Sequence, residues 1–437
     1  MHSVITAKLK LQTTPDQFRA LRQTQLAYRA ALNDVSRYAF EHGKMSNKVA
    51  LQDGTSRDVR AKFGLPAQMA CSVPRQVGAT YKTLWTKVKA NAAARAAGHT
   101  QKRYKGLDQP PKYVSPTLTY QLGHDYGIKT GQQVSILTLD GRMIVPYTGY
   151  ARHVALLQHG ARLGAAKLWY DKPHKQFYLL VSLEIAVPDP LPEQHQRVVG
   201  VDVGQRYLAV ATDTQNRAAF FPGTAARAIA DHYARLRKRL QHKGTRAATR
   251  RLVVIAGRER RLKHDRNHLI SRRLVDAYPH SLIGLEDLTH IRERTKRKHG
   301  KKATVKQRRA NRHASQWAFA ELHGYVAYKA LLAGSMTVKV DPYQTSQACP
   351  RCGYTAEDNR PDKGLLFLCQ RAECQLVLHA DLIGARNVAL RTLLARQDWV
   401  STGVLSERPD VSDDEAKAAQ RKRFAELRWS PDTSPRA

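Results

Sequence analysis

The sequence predicts an α/β fold joined to a largely β domain. Three observations carry that expectation. Hairpin-like alternation fills about 110–185, a short apolar strand opens a new domain at Val198, and helical spacing fills 15–97 and most of 221–312. At 437 residues, 42% apolar and 7% aromatic, the chain can build two or three domains with cores of their own.

Val4 to Leu11 alternates as a strand, with Val4, Thr6 and Lys8 opposed to Ile5, Ala7 and Leu9. Thr14-Pro15-Asp16 then supplies an N-cap, a first-turn proline and an acid; Phe18, Leu21, Leu26, Tyr28 and Leu32 continue helically. A second helix is expected from Arg75 to Ala97, with Val77, Tyr81, Leu84, Trp85 and Val88 on its core face and Gly98 closing it. Val134–Leu139 and Met143–Tyr147 read as a hairpin about a type I′ turn at Asp140-Gly141. Ala166–Tyr170 and Gln176–Ile185 form a further pair. These strands, with the first, frame a β domain of 1–14 and 105–190 around a helical insertion of 15–104. Three prolines between Val187 and Gln196 mark a linker. Beyond it comes the α/β domain, 196–395, then a polar tail, 396–437, expected to be disordered.

Charge narrows the class. The chain holds 73 Lys+Arg against 36 Asp+Glu, a formal +37. Residues 221–312 hold 27 Lys+Arg against 7 Asp+Glu, which is +20 of it. Self-repulsion of that size calls for a polyanion, and nucleic acid fits best; a merely solvated or ribosome-bound surface is the bland alternative. No run of 18 apolar residues and no leader pattern is visible, so a membrane span and a secretory route are not expected. Four of five cysteines cluster late, which speaks for a metal in a reducing compartment rather than a disulfide framework.

Three acids stand where apolar elements end or begin. Val198-Val199-Gly200-Val201 runs straight into Asp202, and Tyr207–Thr212 reads as an antiparallel neighbour. Ser281 to Leu285 ends in Glu286-Asp287; alternation lets only one join Asp202, and Glu286, closing the apolar stretch, is the better candidate. Asp381 starts a helix carrying Leu382, Ala385, Val388 and Ala389. Each has a structural alternative, a turn cap for Asp202 and an N-cap for Asp381. Together, an all-carboxylate set suits two Mg²⁺ ions and in-line displacement at a phosphodiester.

Cys349, Cys352, Cys369 and Cys374 have the spacing C-x2-C-x16-C-x4-C. That is a four-thiolate structural zinc ribbon over 345–378, its second pair two residues looser than usual. Cys71 stands apart and is read as a buried small apolar residue, and His379 lies close to a site four cysteines already fill.

The motifs Gly200-Val201-Asp202-Val203-Gly204, Leu285-Glu286-Asp287-Leu288, Thr345 to Gly353 and Ala380 to Asn387, in this order, resemble the TnpB (OrfB-type) insertion-sequence proteins, whose core compact type V CRISPR effector nucleases share. The resemblance is specific over 198–395 and weaker over 1–190. It implies an RNase H-like (RuvC) nuclease domain with an inserted zinc ribbon, preceded by a β-barrel-like wedge domain with a helical recognition insertion. It implies an RNA-guided, Mg²⁺-dependent DNA endonuclease: two catalytic Mg²⁺ on Asp202, Glu286 and Asp381, one structural Zn²⁺, and guide RNA and target double-stranded DNA as partners. A cytoplasmic, nucleoid-associated place in a prokaryotic cell goes with that. Arg386 and Asn387 match family positions near the site, while Leu382-Ile383-Gly384 departs from the family's Asp-x-Asn-Ala. Arg235, Arg237, Lys238, Arg239, Arg272 and Arg273 would line a nucleic-acid channel. Arg292, Lys296, Arg297, Lys298, Lys301 and Lys302 would form a basic loop gating the site. A compact CRISPR effector, a cleavage-deficient RNA-guided regulator and an RNA-independent junction resolvase are the alternatives; the three acids argue against the regulator.

Overall fold

The computed structural model describes residues 2–115, 117–158, 161–204, 206–289, 304, 305, 308, 311, 318–361, 364–407 and 414–429. The chain divides into two compact units, Met1–Val187 and Pro188–Ala437. Among the described residues no helix is long and apolar enough to cross a membrane.

The first unit runs β1 (His2–Leu11), α1 (Pro15–Glu41), α2 (Lys48–Phe63), α3 (Ala67–Ala96), β2 (Leu118–Tyr120), β3 (Tyr126–Lys129), β4 (Gln133–Thr138), β5 (Gly141–Thr148), α4 (Ala151–Gln158), β6 (Arg162–Asp171) and β7 (Gln176–Ala186). Its strands form one antiparallel sheet in the order β2-β6-β7-β1-β5-β4-β3. β1 pairs along β7 from His2↔Ala186 to Lys10↔Tyr178, so the unit's first and last strands lie side by side around the helical excursion. Thr14 and Gln17 form a reciprocal capping box at α1. The core gathers Leu9, Tyr28, Leu32, Tyr81, Tyr120 and Phe177. Tyr28, Tyr81, Tyr120 and Tyr126 place their buried hydroxyls on acceptors, as with Tyr81 on the Ser36 carbonyl at 2.7 Å.

Several expectations shift here. α3 begins at Ala67, not Arg75, and Pro74 lies inside it. The buried stripe Met69, Val73, Val77 carries the helix through the one hydrogen bond that proline cannot donate. α2, unforeseen, is capped by Asn47 and stopped by Gly64 at φ 62°, and buries Leu51, Thr55 and Val59. The β4–β5 hairpin closes at Thr138↔Gly141, so its tip is Leu139-Asp140. Neither tip residue has positive φ, as type I′ would require; Gly141 takes it instead, at 105°, on the first position of β5.

The second unit runs β8 (Arg197–Asp202), β9 (Tyr207–Asp213), β10 (Ala218–Pro222), α5 (Thr224–Lys243), α6 (Arg246–Ala277), β11 (Ser281–Glu286), α7 (Phe319–Leu332), β12 (Met336–Val340), β13 (Leu366–Leu368), β14 (Val377–His379), α8 (Ala380–Thr402) and α9 (Asp414–Glu426). The main sheet has the order β10-β9-β8-β11-β12. β10, β9 and β8 are antiparallel, and β11 and β12 continue parallel to β8. Leu274 and Val275 of α6, Tyr278 just beyond it, and Leu322 and Val326 of α7 pack on one face, and α8 covers the other through Leu382, Ala385 and Val388. Covered on both faces, β8 and β11 are almost wholly buried, which is why they read as unbroken apolar runs.

Gly200 and Gly284 stand opposite each other in the β8–β11 register. A Cβ at Gly200 would fall 2.2 Å from the Ala385 carbonyl oxygen and the Ala389 nitrogen; one at Gly284 would fall 1.7 Å from Thr392 Oγ1. The pair thus forms a trough on the sheet in which α8 lies.

The disordered tail expected from 396 is corrected over its described part. α8 continues to Thr402 and ends on Gly403 at φ 73°, α9 follows, and Trp429 is buried. Arg423 clasps Asp398 with both terminal nitrogens, at 2.6 and 3.0 Å, and Phe424 packs under Arg391. These are specific contacts that polar composition alone does not reveal.

Candidate active site and metal centre

Asp202 is the last residue of β8, Glu286 the last of β11, and Asp381 stands in the first turn of α8. β8 and β11 are parallel neighbours, so their C-terminal ends meet, and the Gly trough brings the start of α8 over them. The Asp202 carboxyl is held well above the usual carboxylate range, first by burial and then by the charges of Glu286 and Asp381. Glu286 is also pushed up by burial, opposed by the Thr345 hydroxyl, which donates to Oε1 at 2.7 Å, and by the Arg391 charge. A Cβ at Gly384 would sit 2.9 Å from Asp202 Cγ, so the departure from the family pattern at this position leaves room for the carboxylate.

The N-cap alternative for Asp381 is answered locally. His379 is the cap: its Nδ1 accepts the Asp381 backbone N–H at 3.2 Å, so the carboxylate is not spent on that task. Asp287 turns away, as alternation requires, to its own loop at Thr289 and to Lys339 at 3.8 Å.

Four residues of the site escaped sequence reasoning. Asp341 follows β12, and its charge helps to raise Glu286. Its signal was present, since Val338-Lys339-Val340-Asp341 repeats the strand-then-acid pattern of the other two. Arg360, from the segment holding the cysteines, is the side-chain charge that counteracts the raised Asp202 carboxyl. Its Nη2 donates to the Gly364 carbonyl at 3.1 Å, while its buried Nε has no partner among the described residues. Thr345 holds Glu286 as described. Arg391 donates to the carbonyls of Asp341 and Tyr343, its pKa lowered to about 10 by burial against the pull of Asp341 and Glu286. Arg386 and Asn387 serve as braces. Arg386 donates to Asn216 Oδ1 at 3.1 Å and stacks on Trp429; Asn387 donates to the Thr345 and Ala348 carbonyls at 2.7 and 2.8 Å.

Cys349, Cys352, Cys369 and Cys374 bring their Sγ atoms within 4.8 Å of one another, the one such set of His, Cys, Asp and Glu ligand atoms among the described residues. Asp202, Glu286 and Asp381 do not form such a set, so their oxygens lie farther apart than the sulfurs. Sγ pairs at 3.7 Å (Cys349–Cys374) and 3.6 Å (Cys352–Cys369) are far too long for a disulfide. They match the spacing of about 3.8 Å that four thiolates take around one zinc at ~2.3 Å. Gly353 makes the first knuckle turn at φ 78°, and the longer second loop still closes, with Cys374 N–H on the Arg371 carbonyl at 3.0 Å. Burial pushes the Cys369 thiol up to about 11 and the Cys349 thiol higher, a cost that a bound cation relieves. Cys71 is half-buried in α3, less enclosed than expected.

On the basic helices, Arg235, Lys238, Arg239 and Arg273 are exposed. Arg237 is instead engaged by Glu259, and Arg272 pairs with Asp276 one turn on at 2.7 Å. The second pair is solvent-exposed and readily exchanged; the first is half-buried and ties α5 to α6. Arg292, Lys296, Arg297, Lys298, Lys301 and Lys302 lie outside the described residues.

Comparison with known proteins bears out the resemblance drawn from the motifs. Residues 319–388 match the family model described as Cas12f1-like, TNB domain. The chain is 32% identical over 127 residues to the CRISPR-associated endodeoxyribonuclease Cas12f1 of Sulfoacidibacillus thermotolerans, covering 28% of this chain and 26% of that protein. It is 27% identical over 240 residues to the putative RNA-guided DNA endonuclease InsQ of Escherichia coli strain K12, covering 52% and 57%. The matches thus span from about a quarter to little more than half of these relatives' lengths. A cryo-EM structure of a Cas12f1–sgRNA–target DNA complex superposes with a TM-score of 0.50 at 12% identity, covering 85% of this chain and 81% of that one. At that identity the likeness is one of fold.

Proposed function

We propose that this chain is an RNA-guided DNA endonuclease of the TnpB kind, cutting target DNA at a single RuvC-type site. The observation that carries the reading is the convergence of Asp202, Glu286 and Asp381 at the C-terminal ends of two parallel strands and the start of the helix that crosses them. On this reading 196–395 is the RNase H-like domain, numbered 3-2-1-4-5 across its sheet, with the zinc ribbon of 345–378 inserted before the last helix. The β parts of 1–14 and 105–190 are the wedge, and 15–104 the recognition insertion.

The donor set is all oxygen, and burial raises the proton affinity of Asp202 and Glu286, which fits hard divalent cations. Asp202, Glu286 and Asp381 would hold two Mg²⁺, with Asp341 beside Glu286. Bound there, the ions supply Lewis acidity toward the attacking water and the leaving 3′ oxygen of the scissile phosphodiester. Thr345 fixes the Glu286 carboxylate, and the His379 cap keeps the Asp381 carboxylate out of the helix end. Arg360 brings a cation to Asp202 from the cysteine segment. The exposed Arg235, Lys238, Arg239 and Arg273 bind backbone phosphates, with guide pairing supplying sequence recognition.

Asp202→Ala is expected to leave co-purifying RNA bound and to lower Mg²⁺-dependent cleavage of matched DNA by about a thousandfold or more, since the site would lose several kcal/mol of charge stabilisation. Cleavage at the parent rate would sink the assignment of the triad. Sequencing the co-purifying RNA separates an element-end guide, the TnpB case, from a repeat-derived guide, the compact CRISPR effector that the match over 319–388 keeps in view.

A further inference from the structure

The outer face of the first unit's sheet carries a group of side chains that no part of the nuclease reading uses. Trp169 of β6 and Tyr178 of β7 are direct cross-strand partners, and Tyr178 in turn faces Lys10 of β1. One row along, Lys167 faces Leu180, and Leu180 faces Lys8. Residues paired directly across an antiparallel ladder share a face, so these six form one patch. Their sequence neighbours Leu168, Leu179 and Leu9 point the other way and are fully buried in the core. Trp169 and Tyr178 are only half-buried, and Lys8, Lys10 and Lys167 are exposed.

Within the patch the two rings lie 5.3 Å apart and 28° from parallel. The Lys8 ammonium sits over both, 5.0 Å from the Trp169 centroid and 4.1 Å from that of Tyr178. The two rows hold three lysines and no acid. Among the described residues none of the three lysines is in an ion pair. Lys8 serves the ring pair through its cation–π contact, but Lys10 and Lys167 have no such structural use. Aromatic surface ringed by exposed ammonium groups is the combination that takes a nucleobase on the ring and its flanking phosphates on the lysines. A base inside a duplex has both faces covered by its neighbours, so the occupant is a base with a free face.

We propose that Trp169 and Tyr178 are a stacking platform for an unpaired base of the bound RNA, with Lys8, Lys10 and Lys167 as its phosphate contacts. The choice of RNA rests on the function proposed above; the platform does not.

The test uses the full chain, freed of co-purified nucleic acid by high salt, and a fluorescent, unstructured ribo-oligonucleotide. Trp169→Leu is expected to weaken binding by about five- to a hundredfold, the range for loss of one stacked base, and Trp169→Phe to keep most of it. An abasic strand of equal length is expected to bind both forms alike. Lys8→Gln and Lys10→Gln should each reduce the salt slope by about 0.7. Unchanged affinity in Trp169→Leu, or an equal loss on the abasic strand, overturns the platform; tighter binding of the matching DNA strand overturns RNA as its occupant. Cleavage is not read in this assay. A chain that cuts nothing but stacks bases on Trp169 refutes the nuclease reading alone, and one that cuts but ignores Trp169 refutes the platform alone.

Discussion

At the scale of single residues, the acids of the site are in tension with one another. A carboxyl whose folded pKa lies above its unfolded one holds its proton more tightly in the folded chain. Its stabilising contribution is present at low pH and lost as pH rises through the raised value. Asp202 and Glu286 are both of this kind, so metal-free protein should lose stability as pH climbs out of the ordinary carboxylate range. Asp202→Asn removes one of the charges. In EDTA near neutral pH it is expected to melt about 2–4 °C higher than the parent, the shift worth ~1 kcal/mol in a domain of this size. Mg²⁺ should raise the melting temperature of the parent and leave the variant nearly unmoved. Thermal melts across pH, with and without Mg²⁺, check both; a variant less stable at every pH would rule out the charge tension. These acids were legible because a charge ending an apolar run stands out. Asp341 carried the same mark and was passed over beside the cysteine motif. Arg360 carried none, since only the folding of the cysteine segment brings it near Asp202.

At the scale of elements, the decisive contact lies between β8, β11 and α8. Gly200→Val would drive a side chain into the Ala385 carbonyl and the Ala389 nitrogen, main-chain atoms that cannot swing aside. Overpacking of this kind costs about 1–3 kcal/mol or more, so the variant is expected to melt several degrees lower and to lose cleavage out of proportion to its folded fraction. Calorimetry beside single-turnover assays measures that ratio, and a variant that cuts normally per folded molecule would show the trough to be unimportant. The ribbon makes a second prediction: about one zinc per chain, with Cys352→Ser releasing it and lowering stability, readable by elemental analysis and melting. Of the two sheets, β1, β4 to β9 and β11 were legible from alternation and apolar runs, while the short β2, β3, β10 and β12 were not. α2 was not, because a threonine interrupts its buried stripe of Leu51, Thr55 and Val59. The β4–β5 turn slipped by one because Asp-Gly marks a turn without fixing which residue takes positive φ.

At the scale of the whole molecule, the proline-bearing stretch after Val187 coincides with the boundary between the two units, so composition located that boundary. A charge of +37 sets the terms on which either unit meets a polyanion. Raising salt from roughly 50 to 200 mM should weaken nucleic-acid binding by about a thousandfold or more, as expected for six or more phosphate contacts. Binding titrations over that range test it, and a flat response would mean that the basic residues are only solvated surface. The ordered segment to Trp429 was the chief misreading, because aromatic–guanidinium stacking and a paired Arg423 leave no periodic trace in sequence.

The glycine trough bears on how such a molecule can change over generations. Where Gly200 meets α8, neither partner offers a side chain: the sheet presents bare main chain, and the helix a carbonyl and an amide. The gap between the strand end bearing Asp202 and the helix start bearing Asp381 is thereby gauged by peptide geometry, which is common to all sequences. The leucines and valines around it can be exchanged, lineage by lineage, without resetting that gauge. An arrangement of acids set in this way can thus be inherited through ancestors whose cores have little left in common.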